Sequence, residues 1–91
     1  MSISKAATLA EAGDWPMAHH VLVSAYMADE WGTLCAIADS EHVALFIKAD
    51  SLPSQIHTYE MPSGEIAFVV EGAWNVRRNG EWIDVHDEVP I

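Results

Sequence analysis

Apolar and polar residues follow two different rhythms along this 91-residue chain, and the rhythm changes near Thr33. Before that point the spacing is helical. Ser4 is placed to cap a short helix with Ala6, Ala7, Leu9 and Ala10 on its apolar side, and Gly13 is placed to end it in left-handed backbone. Asp14 or Trp15 then caps a second helix, with Pro16 in its first turn and about three helical turns from Met17 to Ala28. Met17, Val21, Ser24 or Ala25, and Ala28 share one face of it. The run from Val21 to Tyr26 also satisfies a strand, so both assignments stay open there.

From Thr33 onward the texture reads as strands. Leu34 to Ala38 and Val43 to Ala49 are short apolar runs separated by the polar turn cluster Asp39-Ser40-Glu41-His42, with a helix through Phe46 as the competing assignment. Asp50 to Ser54 is a loop. Gln55 to Met61 and Glu65 to Glu71 are strands on either side of the turn Pro62-Ser63-Gly64, and Gly72 marks a bulge or sharp bend.

The strongest local signal is Asn79-Gly80, which supplies the two positive φ angles of a type I′ hairpin. That turn sets Arg78 against Glu81, Arg77 against Trp82, Val76 against Ile83 and Trp74 against Val85. Trp74, Val76, Ile83 and Val85 then face the core, while Asn75, Arg77, Trp82, Asp84 and His86 face the other way. Together the elements predict an α+β fold in one domain over residues 1–91. Two N-terminal helices pack on a mostly antiparallel sheet of five or six strands, arranged as a meander of hairpins.

Composition narrows the function. Four Trp and dense aliphatic runs exclude disorder. The lone cysteine, Cys35, excludes an intramolecular disulfide framework, and its neighbours Leu34, Ala36, Ile37 and Ala38 describe a core thiol rather than a nucleophile. The residues after Met1 are too polar for a signal-peptide core, and no run approaches the length of a membrane span, so a cytoplasmic protein is expected. A domain this small buries a modest share of its surface, which leaves room for a homodimer.

Catalytic and cofactor signatures are not found. The glycines are scattered singly, no serine lies in a G-x-S-x-G elbow, and no C-x-x-C, H-x-x-x-H or H-x-H spacing occurs. His19 and His20 are adjacent and point about 100° apart on a helix, and His57 and Glu60 fall on opposite faces of a strand. No metal and no cofactor are expected. A small enzyme or ligand-binding β-domain with His57, His86 and a carboxylate at a pocket is the alternative.

Charge is the largest departure from the ordinary: fourteen acidic side chains against four basic ones, a formal net charge of −10. Lys5, Lys48, Arg77 and Arg78 are too few for a basic stripe, which excludes direct nucleic-acid binding, and the field also repels anionic membranes. Arg77 and Arg78 are expected to find Glu81 and Trp82 within the hairpin. A body of about 30 Å spans on the order of 18 phosphates of duplex, so this charge is of the order of a nucleic-acid surface. It also serves solubility or adaptation to high salt.

Trp15 and Trp74 are expected to anchor the core. Trp31, beside Asp29 and Glu30, and Trp82, beside Glu81 and Asp84 with Asp87 and Glu88 beyond, combine aromatic anchors with acid, as interfaces with basic partners do. The expected function is a non-enzymatic acidic inhibitor that blocks a basic, nucleic-acid-handling protein. Antitoxins, immunity proteins and phage anti-CRISPR proteins are analogous in size and charge. The expected partner-binding residues are Asp29, Glu30, Trp31, Glu81, Trp82, Asp84, Asp87 and Glu88. A structural or assembly component is a third class.

Overall fold

The structure, a computed structural model, describes residues 2–89. It is α+β, with helices followed by a four-stranded antiparallel sheet. The chain divides into two compact units, one ending at Pro53 and one beginning at Ser54.

The first unit is helical throughout: α1 (Ser2–Glu11), α2 (Trp15–Ala28), α3 (Glu30–Asp39) and α4 (Val43–Lys48). Gly13 closes α1 as expected. With φ of +88° it donates its N–H to Ala10, and Asp14 donates to Leu9, so two terminal carbonyls that no helical N–H can reach are satisfied. Ser4 is not the cap, because α1 already runs through it; its carbonyl instead accepts the Thr8 hydroxyl at 3.0 Å. Asp14 caps α2 through an acceptor contact to the Met17 N–H at 3.3 Å, with Pro16 in the first turn.

The segment from Val21 to Tyr26 is helical. The face that α2 buries is Ala18, Leu22 and Tyr26, one position round from the expected Met17, Val21 and Ala28. Met17 is 47% exposed, and that face instead lines an open groove. α1 buries Ile3, Ala6, Ala7 and Ala10, and alanines let helix backbones approach closely.

Two expected strands are helices. Leu34–Ala38 lies in α3 and Val43–Ala49 coincides with α4 and its cap, so four helices and four strands replace two helices and five or six strands among the described residues. A short continuous apolar run has no periodicity that separates a strand from a buried helical turn. The deciding influence is upstream: the Asp29 carboxylate accepts the Gly32 N–H at 3.0 Å and starts α3, which then buries Thr33, Leu34 and Ile37. The polar cluster Asp39 to His42 does turn the chain, but between helices; Ser40 Oγ accepts the His42 N–H at 3.0 Å.

The second unit is a meander of β1 (Ile56–Glu60), β2 (Ile66–Val70), β3 (Ala73–Arg78) and β4 (Glu81–Asp84), followed by a 3-10 turn, His86–Glu88. Asn79 and Gly80 have φ of +52° and +77°, and the register places Arg78 against Glu81, Arg77 against Trp82 and Val76 against Ile83. The expected Trp74 and Val85 pairing continues just past β4, where the Val85 N–H donates to the Trp74 carbonyl at 2.9 Å. Gly72 marks a sharp bend rather than a bulge. Glu71 and Gly72, with φ of +52° and +83°, form a second two-residue turn joining β2 to β3.

One sheet face carries its own small core: Met61, Ala67, Val76 and Val85 are buried, with Trp74 and Val89 packed against them. Val85 and Val89 flank the 3-10 turn, so that turn brings the chain back over the sheet. Ile83, expected in this core, is 36% exposed, because β4 is an edge strand and gains cover from one side only. On the opposite face Trp82 meets Phe68 edge-on at 5.8 Å between centroids, and the Arg77 guanidinium lies 5.4 Å from the Trp82 ring, the partner expected for it.

Two substitutions test these assignments. Replacing Asn79 and Gly80 together by valine forces two β-branched residues into left-handed backbone. The expected loss is about 1–3 kcal/mol for each residue, with early loss of amide protection in β3 and β4 by hydrogen exchange. Leu22→Ala, at a fully buried site of α2, is expected to cost about 2–5 kcal/mol in urea unfolding, whereas Met17→Ala on the groove side costs far less.

Candidate functional site

The expected site residues fall in both units. Asp29, Glu30 and Trp31 sit where α2 passes into α3, and hydrogen bonds hold this corner rigid. Asp29 ends α2 by donating its N–H to Ala25 at 3.0 Å and starts α3 through Gly32. Glycine at position 32 suits this cap, since a Cβ there would collide with the Asp29 carboxylate. Thr33 Oγ1 donates back to the Ala25 carbonyl at 2.9 Å, and the Tyr26 hydroxyl donates to Glu30 at 3.3 Å.

Trp31 is 51% exposed on that corner, and Met27, two residues before Asp29, is 71% exposed. An exposed aromatic and an exposed thioether thus flank two carboxylates on a fixed backbone. Met27 carried no signal in the sequence, because a methionine near a helix end reads as core as readily as surface.

The other expected residues belong to the sheet unit, where much of the acid is neutralised internally. Arg78 turns away from Glu81. It binds Glu65 through Nε and Nη2 at 2.8 and 2.7 Å and reaches Glu88 at 3.2 Å. Glu65 lies thirteen residues before Arg78 and Glu88 ten after it, so only the meander and the 3-10 turn bring them together. Arg78 holds the Glu65 carboxyl below its ordinary value, and both carboxylates push the Arg78 guanidinium higher still.

His86 forms a second acid-bound centre. Its Nδ1 lies 2.9 Å from Asp84 and its Nε2 2.9 Å from Asp87. A neutral imidazole has one N–H, so both contacts are satisfied together by the imidazolium. Hydrogen bonding to Asp84, then the charges of Asp84 and Asp87, raise the His86 pKa. The His86 backbone N–H and then its ring hold Asp84 down. Glu81 is exposed at the turn, and Trp82 is half-buried against Phe68.

Carboxylates are spread evenly: seven lie on each side of the boundary after Pro53, with Lys5 and Lys48 on one side and Arg77 and Arg78 on the other. The remaining histidines are dispersed. His19 Nδ1 lies 3.0 Å from the Ser51 carbonyl, His42 sits between Glu11 and Glu41 at 3.5 and 3.4 Å, and His57 is exposed on β1. Among the described residues no group of three or more His, Cys, Asp or Glu side chains is placed to hold a metal ion. Cys35 is half-buried on α3.

Trp15 and Trp74, expected as core anchors, are both half-buried. Trp15 borders an open apolar depression of about 520 Å³ with Leu45, Lys48 and Ala49, and Trp74 meets Tyr59 edge-on at 5.4 Å. A groove of about 420 Å³ between α1 and α2 is lined by Lys5, Met17, Val21, Ser24 and Ala28 among others. Neither His57 nor His86 borders these openings. No described helix is long and apolar enough to cross a membrane.

No protein-family model, curated protein or solved structure matches this chain.

The His86 centre has a definite pH signature. A raised histidine pKa stabilises the fold below the unfolded value of about 6.5, and that contribution is lost as pH rises through the folded pKa. A lowered Asp84 pKa contributes above about 3.9 and is lost as pH falls through its folded value. The contact is therefore at full strength between about pH 4 and 6.5. Titration followed by NMR is expected to place His86 above the ordinary histidine value, and Asp84→Asn is expected to bring it down. An unshifted His86 would show that the ring is not held by Asp84.

Proposed function

We propose that this chain acts without catalysis, as an acidic module that binds and blocks a basic surface on a nucleic-acid-handling protein, in the manner of antitoxins, immunity proteins and anti-CRISPR proteins. The observation that supports this reading most directly is Trp31, half exposed beside Asp29 and Glu30 on a corner tied by four hydrogen bonds. A rigid exposed aromatic loses little conformational freedom on binding, and the carboxylates beside it select cationic surroundings. The surplus acid, seven carboxylates in each unit, supplies the long-range attraction that brings a basic target in.

The proposed partner-binding residues of the two units differ in kind. Asp84, Asp87 and Glu88 already engage His86 and Arg78, so their charge is part of the fold as well as of the field. Glu30 and Glu81 are exposed carboxylates better suited to meeting an incoming cation.

The test begins with capture from nuclease-treated extract on the immobilised chain, identification by mass spectrometry, and competition against labelled duplex for the captured protein. The chain is expected to displace the duplex. Its association rate is expected to fall tenfold or more between about 0.01 M and about 0.15 M salt, as the screening length contracts from about 30 Å to about 8 Å. Glu30→Lys with Glu81→Lys slows arrival, whereas Trp31→Ala mainly speeds departure. A target that keeps its duplex at saturation, or association indifferent to salt, would overturn the proposal.

A further inference from the structure

The sheet is open and ends in two edges of unlike character. β4 carries Glu81 and Asp84, whose charge discourages another strand of this acidic chain from pairing there. β1 reads Ile56-His57-Thr58-Tyr59-Glu60, with no Lys or Pro, and it pairs with β2 residue for residue without a bulge. Edge strands are ordinarily guarded by such devices, and β1 has a single carboxylate at one end.

The register shows which way the β1 main chain points. Val70 and Ala73 flank a two-residue turn and form a hydrogen-bonded pair, so the next such pair along is Phe68 with Asn75. Phe68 and Val70 therefore direct their main-chain groups to β3, leaving Ala67 and Val69 to serve β1. Ile56 and Thr58, which stand opposite Val70 and Phe68, aim their N–H and C=O groups away from the sheet, and by alternation so does Glu60. The Met61 N–H, donating to the Glu65 carbonyl at 2.8 Å, has the matching phase. Among the described residues the outward N–H groups of Thr58 and Glu60 have no hydrogen-bond acceptor.

We infer that β1 pairs antiparallel with β1 of a second copy about a two-fold axis at Thr58, joining two four-stranded sheets into one of eight strands. In that register Thr58 meets Thr58 and exchanges both main-chain hydrogen bonds, Ile56 meets Glu60, and His57 meets Tyr59. Charge selects the register. The two Glu60 carboxylates fall at opposite ends, roughly 14 Å apart along the strands and beyond the physiological screening length of about 8 Å. Moving the two-fold axis from Thr58 to Glu60, a slip of roughly four residues between the strands, would set Glu60 against Glu60. The pairing itself is main-chain and apolar, while each copy carries a net charge of −10, so added salt strengthens it by screening the mutual repulsion. That sign is opposite to the one for a basic partner.

Sedimentation velocity on the full chain, across roughly a hundredfold range of concentration and at about 0.05 M and about 0.5 M salt, reads the association directly. The wild type is expected to dimerise, more tightly at high salt, with slowed exchange of the Thr58 and Glu60 amides in the dimer. Thr58→Pro removes an N–H that the sheet itself does not use and is expected to weaken the dimer roughly tenfold or more at both salts. Thr58→Glu sets like charges directly opposite and is expected to abolish the dimer at low salt, with partial recovery at high salt. Circular dichroism verifies folding, and if the proline variant unfolds, the glutamate variant decides. A wild type that stays monomeric throughout, a folded Thr58→Glu variant that assembles like the wild type, or a dimer with unchanged Thr58 exchange would each overturn the inference.

Discussion

Left-handed backbone at two tight turns governs the sheet unit. Glu71-Gly72 and Asn79-Gly80 each place two consecutive residues at positive φ, which reverses the chain in two residues and leaves no freedom of register. A slip by one residue would turn Val76 and Ala67 out of the small core and bring Arg77 and Phe68 in. The same registers decide which strand directs its amides outward, and so which edge is open to pairing.

Within that frame, Arg78 and His86 organise the acid. In a chain so poor in cations, one guanidinium holds Glu65 and Glu88, and one imidazole holds Asp84 and Asp87. Repulsion between carboxylates near the 3-10 turn is relieved locally, and the turn can lie over Met61, Ala67, Val76 and Val85. These contacts are exposed or at most part-buried, so their weight lies in fixing geometry more than in net stability. The helical unit achieves the same end by capping: Asp14 and Asp29 place negative charge at helix N-termini, where the backbone dipole favours it. Acid is thereby used as structure in one place and left as field in another, at Glu30, Glu81 and the carboxylates around them.

What was legible and what was not divides along the range of the interactions. Gly13, Asp14, Pro16 and the Asn79-Gly80 turn act on their own neighbours within a few residues, and their roles and the hairpin register could be read directly. Leu34–Ala38 and Val43–Ala49 could not, because an apolar run of five to seven residues fits a buried strand and a buried helical turn equally. The Glu71-Gly72 turn was only half visible for a related reason: glutamate seldom takes positive φ, so the glycine alone signalled a bulge or sharp bend, and Glu71 read as the end of the strand before it.

Sequence by itself determined the charge, the α+β class, the caps and the tight Asn-Gly turn, since each follows from composition or from contacts short along the chain. Tertiary structure decided the burial of Leu22 over Met17, the exposure of Trp31 and Met27 beside Asp29 and Glu30, the choice of Glu65 and Glu88 over Glu81 as partners of Arg78, and the outward amides of β1. Each of those depends on which surfaces meet after the chain has turned back on itself. A residue's neighbours in space are then set by packing and register rather than by its place in the sequence.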